Sequence, residues 1–162
     1  MSVDHDNIIY SLNIEDKTAS VVGYKQDSNI DNIIIPNSIT YESVEYTVTI
    51  LSENSFSQSS IVSIQFAKGS QLRIIEKKAF FKSSIESITI PSKVTEIQDE
   101  AFMYCFKLKR VEIESDSKLQ IIGREAFSFS KIESITIPPT VTIFHERAFY
   151  FCEKLRTINI SA

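Results

Sequence analysis

The sequence predicts a solenoid of stacked repeats that is built mostly from short β-strands. Three observations support this fold class. The segment Ile-Glu-Ser-Ile-Thr-Ile-Pro at 85–91 recurs at 132–138, an offset of 47 residues. Each 47-residue unit divides into two similar halves, and each half carries an apolar-x-x-apolar-x-apolar run followed by an Ala-Phe pair. Self-similarity at a fixed period of this size is typical of proteins whose repeats stack on one another.

The apolar runs predict the strands. Each run ends in an alternation of apolar and polar residues rich in Ile, Val and Thr, which indicates a strand with one buried face. The runs are Ile61/Ile64/Phe66, Ile85/Ile88/Ile90, Leu108/Val111/Ile113, Ile132/Ile135/Ile137 and Leu155/Ile158/Ile160. No single repeat can bury its own apolar face, so we expect successive strands to pair in parallel, about 4.8 Å apart. Short helical or irregular segments are expected on the opposite side of each repeat.

The aromatic residue of each repeat predicts a ladder. Aliphatic residues precede it by eight positions in every repeat, which marks the return segment as part of the same core. The aromatic residues are Phe56, Phe80, Phe102, Phe127 and Phe149. At the spacing of stacked repeats, their rings suit offset aromatic contact. The small residue before each Phe, Ala in four of the five repeats, fits a place where two backbones pass closely.

The two halves of the long unit differ in the turn that follows the strand. A short turn with Pro91 or Pro138 alternates with a longer polar turn at 66–72 or 113–119. Proline lacks a backbone N–H and therefore belongs where strand pairing stops.

The 162 residues suit one domain, spanning 1–162. We assign 1–60 to an N-terminal cap with a first irregular repeat, and 61–162 to the regular repeats. Within the cap, 8–13 and 18–24 flank a polar turn and predict a β-hairpin. A solenoid requires an atypical end that shields its first core layer, and this hairpin fits that role.

The repeat unit also resembles a known family. The pattern apolar-x-x-apolar-x-apolar-Pro, followed by Ala-Phe-x-x-Cys-x-x-Leu, resembles the leucine-rich repeats of BspA-like proteins, the Treponema-type class, over about residues 30–160. The alternating double unit is most similar to the forms expanded in parasitic protists. This resemblance implies a curved leucine-rich-repeat solenoid of α/β-type repeats with its parallel sheet on the concave face. It also implies surface adhesion or protein binding, without catalysis and without a cofactor.

The outward strand residues are the predicted ligand-binding set, because they line the concave sheet in a leucine-rich repeat. The predicted ligand-binding residues are Ser63, Gln65, Ser87, Thr89, Arg110, Glu112, Ser134, Thr136, Thr157 and Asn159, with Asn32 and Ile34 at the start of the row. Two interpretations stay open, a solvated sheet face and a shallow protein- or glycan-binding strip centred on Arg110 and Glu112.

A second stripe of the sequence is aromatic. Its members follow the ladder Phe by one, two or four residues, and they are Phe81, Tyr104, Phe106, Phe129, Tyr150 and Phe151. Rings that pack between repeats would extend the core. Rings that stay exposed would form an apolar patch on the convex side, suited to a partner or a lipid surface.

No catalytic, cofactor or metal site is predicted. The sequence contains no nucleophile elbow, phosphate loop or HExxH pair. Cys105 and Cys152 occupy equivalent positions two repeats apart, too far for a disulfide, so we expect two free, buried thiols. His145 aligns with a column that we interpret as exposed and without fixed chemistry, and His5 lies in a terminus expected to fray.

Charge and hydropathy narrow the class of partner. The net charge of -4 and the lack of a basic stripe argue against nucleic acid. Lys77–Lys78 and the basic run at 107–110 are interpreted as solvated faces. No apolar run is long enough for a transmembrane segment, and residues 1–6 do not resemble a signal peptide. The family resemblance implies an adhesion or host-interaction module that binds a matrix or host surface protein or a glycan. The lack of a signal-like start favours the alternative, an intracellular scaffold.

The C-terminal end carries one further expectation. The sequence stops directly after a predicted strand, so Phe149, Leu155 and Ile158 should be poorly covered. Open strand edges pair readily with other chains. We expect either a shortened form of a longer protein or self-association through this end.

Overall fold

The computed structural model describes residues 1–26 and 30–161, and in these ranges it contains fifteen β-strands and no helix. Residues 27–29 and Ala162, which the predicted domain includes, lie outside the described residues. The strands are β1 Ser2–His5, β2 Ile8–Asn13, β3 Thr18–Tyr24, β4 Asn32–Ile35, β5 Ser38–Tyr41, β6 Val44–Leu51, β7 Ser63–Phe66, β8 Ile74–Ile75, β9 Ser87–Ile90, β10 Glu96–Ile97, β11 Arg110–Ile113, β12 Ile121–Ile122, β13 Ser134–Ile137, β14 Ile143–Phe144 and β15 Thr157–Ile160. They form two sheets, and each repeat contributes one strand to each sheet from β6 to β15.

The first sheet is the parallel sheet that the sequence predicts. Its six strands follow the order β4, β7, β9, β11, β13 and β15, with every neighbouring pair parallel. The first residues of the strands lie side by side, and they are Asn32, Ser63, Ser87, Arg110, Ser134 and Thr157. We call each turn of chain that ends in one of these strands a coil, numbered 1 to 6 from β4 to β15.

The second sheet refines the expectation of short helical or irregular segments opposite the strands. The return segments contain short strands and no helix, and β6, β8, β10, β12 and β14 pair in parallel. The inward residues of β8, β10 and β12, namely Ile75, Ile97 and Ile122, are fully buried. The predicted hairpin of β2 and β3 is confirmed, and β3 joins this sheet by pairing in parallel with β6.

The aromatic ladder forms as predicted and is one ring longer than predicted. Successive ladder rings stack with centroids 4.9–5.4 Å apart and interplanar angles of 5–12°. Tyr24 adds a further ring below Phe56, at 5.7 Å and 23°. The pair Gly23-Tyr24 thus replaces Ala-Phe in coil 1, and its position six residues before Ile30 is the sequence signal for this coil. Residues 1–60 therefore include a coil that begins at the hairpin itself.

The Ala-Phe corner holds a third set of hydrogen bonds between coils. The backbone N–H of each ladder Phe before the last coil donates to the carbonyl of the Ala in the next coil. For example, the N–H of Phe80 donates to the Ala101 carbonyl at 2.7 Å. The residues two before and two after the ladder Phe all adopt positive φ. They are Asn54, Gln58, Lys78, Lys82, Glu100, Tyr104, Glu125, Phe129, Arg147 and Phe151. All of them except Arg147 and Phe151, which lie in the last coil, donate their backbone N–H to the next coil. A left-handed conformation costs a residue with a Cβ about 1–2 kcal/mol, and these hydrogen bonds offset that strain in every coil before the last.

The last coil is the least buried, as the sequence predicts. All four residues of β15 are exposed, Ile160 at 79% and Ile158 at 48%, and Phe149 and Leu155 are half-buried. Phe144 is 48% exposed, whereas its counterparts in the other coils are fully buried. Self-association through this face stays a prediction.

Candidate functional site

The outward face of the six-stranded sheet, which we call the strand face, presents the predicted residues in two regular rows. The register places Arg110 between Ser87 and Ser134, and Glu112 opposite Thr89. Ser63 and Ser87 are half-buried, and the other predicted residues are exposed. Side-chain exposure alternates along each strand, since every second residue points inward. The inward residues Ile64, Ile88, Val111 and Ile135 are buried in the core. The geometry therefore brings the whole predicted set onto one continuous surface.

The strand face is divided into three pairs of strands. Pairing covers four residues between β4 and β7, between β9 and β11, and between β13 and β15. It is confined to the first residue pair between β7 and β9 and between β11 and β13. At the two incompletely paired interfaces, the strands lack the backbone pairing that would hold their carboxyl ends together.

Proline explains this alternation. Where the pairing is complete, the residue after the strand donates its N–H to the preceding coil, as from Glu114 to the Ile90 carbonyl at 3.0 Å. In coils 3 and 5 the equivalent residue is Pro91 or Pro138, which has no N–H to donate. Each proline thus removes the donor that would close the pairing at the carboxyl end of the strands, and this occurs at every second interface, in step with the 47-residue repeat.

Each proline interface opens a groove on the strand face. The first groove, of about 360 Å³, is lined by strands β7 and β9 together with Glu114. The second, of about 370 Å³, is lined by β11 and β13 from Arg110 to Thr136. The walls carry hydroxyl and charged groups, and the floors are strand backbone, because Ile64, Ile88, Val111 and Ile135 point into the core. A ligand in either groove would meet incompletely paired backbone with polar side chains on both sides.

The charged pair at the centre of the strand face is open to solvent. Arg110 Nε lies 3.6 Å from Glu112 Oε1, and the two side chains are 70% and 62% exposed. An ion pair this exposed contributes at most about 1 kcal/mol to stability. Both groups therefore remain available to a ligand at little cost.

The aromatic stripe divides into a half-buried and an exposed part. Tyr104 stacks on Phe129 at 4.7 Å, and Phe129 stacks on Phe151 at 5.2 Å, which forms an outer ladder beside the core one. Phe106, Tyr150 and Phe151 are 46–58% exposed. Lys82 lies over both Phe81 and Tyr104, at 5.3 and 5.6 Å from the ring centroids. Stacking between coils therefore accounts for part of the stripe, and three of its rings remain exposed.

Comparison with known proteins assigns the repeat. Residues 23–156 match the BspA type leucine rich repeat region in six copies, which agrees with the six coils. The chain belongs to this family of BspA-type leucine-rich-repeat proteins. A search of curated proteins found no match.

Solved structures of BspA-type and other leucine-rich-repeat proteins share the fold of the chain. A leucine-rich repeat protein from Bacteroides ovatus is 30% identical with a TM-score of 0.85, covering 97% of this chain and 40% of that one. The pneumococcal vaccine antigen PcpA is 26% identical with a TM-score of 0.80, covering 99% and 50%. The Treponema pallidum leucine-rich-repeat protein, at 18% identity and a TM-score of 0.61, shares the fold over 98% of this chain. The chain spans about half or less of the length of the first two proteins.

The column that contains His145 in this BspA-type repeat has a definite role, contrary to the sequence interpretation. Glu76 Oε2 accepts the backbone N–H of Glu53 at 2.9 Å, and Gln98 Oε1 accepts that of Lys77 at 3.1 Å. In the next coil the column holds the buried Gly123, which has no side chain to accept a hydrogen bond. Here the acceptor belongs to the preceding coil: Asp99 Oδ1, one position after the column, accepts the backbone N–H of Arg124 at 2.7 Å. The column therefore links neighbouring coils by side-chain oxygens.

The two histidines lie apart on the surface. His5 Nδ1 lies 3.2 Å from Asp6 Oδ2, and His145 is exposed in the last coil. Within residues 1–26 and 30–161, no three His, Cys, Asp or Glu side chains are placed to hold a metal ion. The same ranges contain no helix of the length and apolarity needed to cross a membrane.

Both cysteines are free thiols in the small-residue column that the alignment predicts. Cys105 Sγ donates to the Phe80 carbonyl at 3.0 Å and lies 3.5 Å from Ser83 Oγ. Cys152 repeats this arrangement with Phe127 and Ser130. Burial raises the pKa of the Cys105 thiol to about 12, and it raises the pKa of the half-buried Cys152 as well.

Thiol alkylation of the native protein should be slow and ordered. The thiolate is the reactive form, and at pH 8 the raised pKa of Cys105 leaves almost none of it. In the native protein, we expect maleimide to modify Cys152 and to leave Cys105 unmodified until the protein unfolds. In urea, both cysteines should react at the same rate. Mass spectrometry of peptides gives the order, and Cys152→Ser should leave one slow thiol. Recovery of no free thiol from the unreduced, unfolded protein would contradict this assignment.

Proposed function

We propose that this BspA-type protein is a non-enzymatic adhesion module whose strand face binds a protein ligand, of the matrix or host-surface kind. The two proline-bounded grooves carry this proposal, since they are the openings of a surface that is otherwise a paired sheet. Each groove combines a floor of incompletely paired strand backbone with hydroxyl-bearing walls. This combination suits an extended peptide segment, which offers alternating side chains and backbone polar groups.

The family and its neighbours support a binding role on a surface. The repeat belongs to the BspA type, and the pneumococcal structure of the same fold, 26% identical, is a vaccine antigen. An antigen used in vaccines is reached by antibodies, which supports exposure of the repeat to the outside. A glycan ligand is the other occupant that the hydroxyl-lined walls would suit.

The experiment probes the second groove with an array of purified extracellular-matrix proteins and glycans. In one variant, Arg110→Ala removes the central cation, and in another, Thr136→Trp fills the groove between β11 and β13. We expect each variant to weaken binding to the captured protein at least tenfold, because a hot-spot residue contributes more than about 1.4 kcal/mol. Surface plasmon resonance measures the affinity.

The matched control is Lys118→Ala, which removes one exposed cation from the long turn outside the strand face. This variant should bind as the original protein does. Circular dichroism checks that both strand-face variants are folded. If both then bind with unchanged affinity, the strand face is not the binding surface. Binding only to glycans would replace the protein ligand by a sugar one.

A further inference from the structure

A basic edge runs beside the strand face in the last three coils. The positions one and three residues before each strand form two columns along the stack. In coils 4 to 6 these columns contain five cations and one anion, namely Lys107, Lys109, Lys131, Glu133, Lys154 and Arg156. In coils 2 and 3 the same columns hold no cation, only Ser60, Val62, Ser84 and Glu86. The change is abrupt in a chain whose net charge is -4.

Stacking brings these cations together from three coils, which the sequence alone does not show. Lys109, Lys131, Glu133, Lys154 and Arg156 line one groove of about 340 Å³. Lys131 Nζ is paired with Glu153 at 3.1 Å. The side chains of Lys109, Lys154 and Arg156 make no hydrogen bond or ion pair with the described residues. Lys109 of the basic run at 107–110 is therefore exposed, as interpreted, and is also part of a larger basic surface.

The column three residues before each strand gives no structural benefit, because Lys107, Lys131 and Lys154 are like charges in neighbouring coils and repel one another. The column one residue before each strand alternates in sign, with Lys109, Glu133 and Arg156, but these side chains make no ion pair with the described residues. All three unpaired cations are exposed, so burial of their stems does not compensate for the repulsion. The groove holds fixed positive charge that a negatively charged ligand would neutralise.

We propose that this basic groove binds a sulfated polysaccharide. Coils rise by about 4.8 Å, so cations in three successive coils form a line about 10 Å long. A sulfated sugar chain carries its anions in a line of similar spacing. Glu133 lies among the cations and accepts hydrogen bonds, which suits a ligand that presents hydroxyl donors between its anionic groups.

The lining argues against nucleic acid as the occupant. Sites for single strands combine cations with aromatic rings on which bases stack, and no aromatic residue lines this groove. The sugar site is separate from the strand-face proposal, because it uses none of the groove residues at Arg110 or Thr136.

The test is calorimetric titration with a heparin octasaccharide, its desulfated form and a single-stranded oligonucleotide of equal charge. We expect the sulfated octasaccharide to bind, its affinity to fall as salt is raised, and the desulfated form not to bind. The variant Lys109→Gln/Lys154→Ser/Arg156→Gln should weaken binding at least tenfold. Serine at 154 copies the residue that coils 2 and 3 carry in that column.

The control variant loses the same charge elsewhere, by Lys68→Gln/Lys77→Gln/Lys118→Gln. It should keep its affinity for the octasaccharide, and thermal unfolding checks that both variants fold. No binding of the octasaccharide, equal loss in the control variant, or equally tight binding of the oligonucleotide would each overturn the proposal. The strand-face variants Arg110→Ala and Thr136→Trp should still bind the octasaccharide. Either proposal can therefore be contradicted while the other stands.

Discussion

Phe102→Ala should lower the free energy of unfolding by about 3–5 kcal/mol, the range for a large aromatic residue removed from a core. Phe102 is fully buried at the middle of the aromatic ladder. Its ring stacks on Phe80 at 4.9 Å and on Phe127 at 5.1 Å. Truncation removes both stacking contacts and leaves a cavity between coils 3 and 5. Backbone hydrogen bonds on both sides limit collapse of the neighbouring coils into that space, so the cavity should persist.

Urea unfolding followed by circular dichroism measures this effect. Since each coil contacts only its neighbours, the loss at coil 4 should also weaken the coupling of the two ends and broaden the transition. The matched control is Phe106→Ala in the same coil, whose ring is 58% exposed and should change stability by about 0.5 kcal/mol or less. Equal losses in the two variants would show that the ladder is not the centre of the core.

Gly123→Ala should be the second most damaging change, at about 1–3 kcal/mol. A Cβ at this position would lie 2.5 Å from the Asp99 nitrogen and 2.6 Å from the Gln98 carbonyl carbon. Both atoms belong to the backbone of the preceding coil, so no side-chain rotation relieves the contact. Glycine at 123 leaves room for the Asp99 carboxylate, which caps the Arg124 N–H. The coils would have to separate at this point to admit a methyl group.

Gly23→Ala is the matched control for the second prediction. A Cβ at Gly23 would meet only the Ser55 carbonyl oxygen, at 3.9 Å, and the other ladder pairs carry Ala or Ser at this place. We expect unchanged or slightly higher stability, by up to about 1 kcal/mol, because alanine restricts the unfolded chain. Thermal and urea unfolding of both variants give the comparison. A Gly123→Ala protein as stable as the Gly23→Ala protein would show that the two coils can move apart freely.

Much of this protein follows from its sequence. The period of the Ile-x-Ile runs predicts the six-stranded sheet and its register, and the recurring Phe predicts the ladder. Both rest on local patterns that repeat along the chain. The outward strand residues are predicted for the same reason, since alternation along a strand decides which side chains point away from the core. The free cysteines follow from the column they share with serines.

Other features depend on which atoms of neighbouring coils meet. The second sheet continues beyond β6 in the two-residue strands β8, β10, β12 and β14. These strands are too short to leave an alternating pattern, and only pairing across coils creates them. The role of Gly123 is invisible without the Asp99 backbone 2.5 Å away, and its column appeared featureless in the alignment.

The basic groove shows the same division most clearly. Its cations come from three coils whose equivalent positions are more than twenty residues apart along the chain, and each looks like an ordinary solvated charge in its own coil. The sequence determined the repeat, its length and its strand face, because these properties belong to single coils. The tertiary structure decided the second sheet, the tight contact at Gly123 and the basic groove, because these arise from distances between coils.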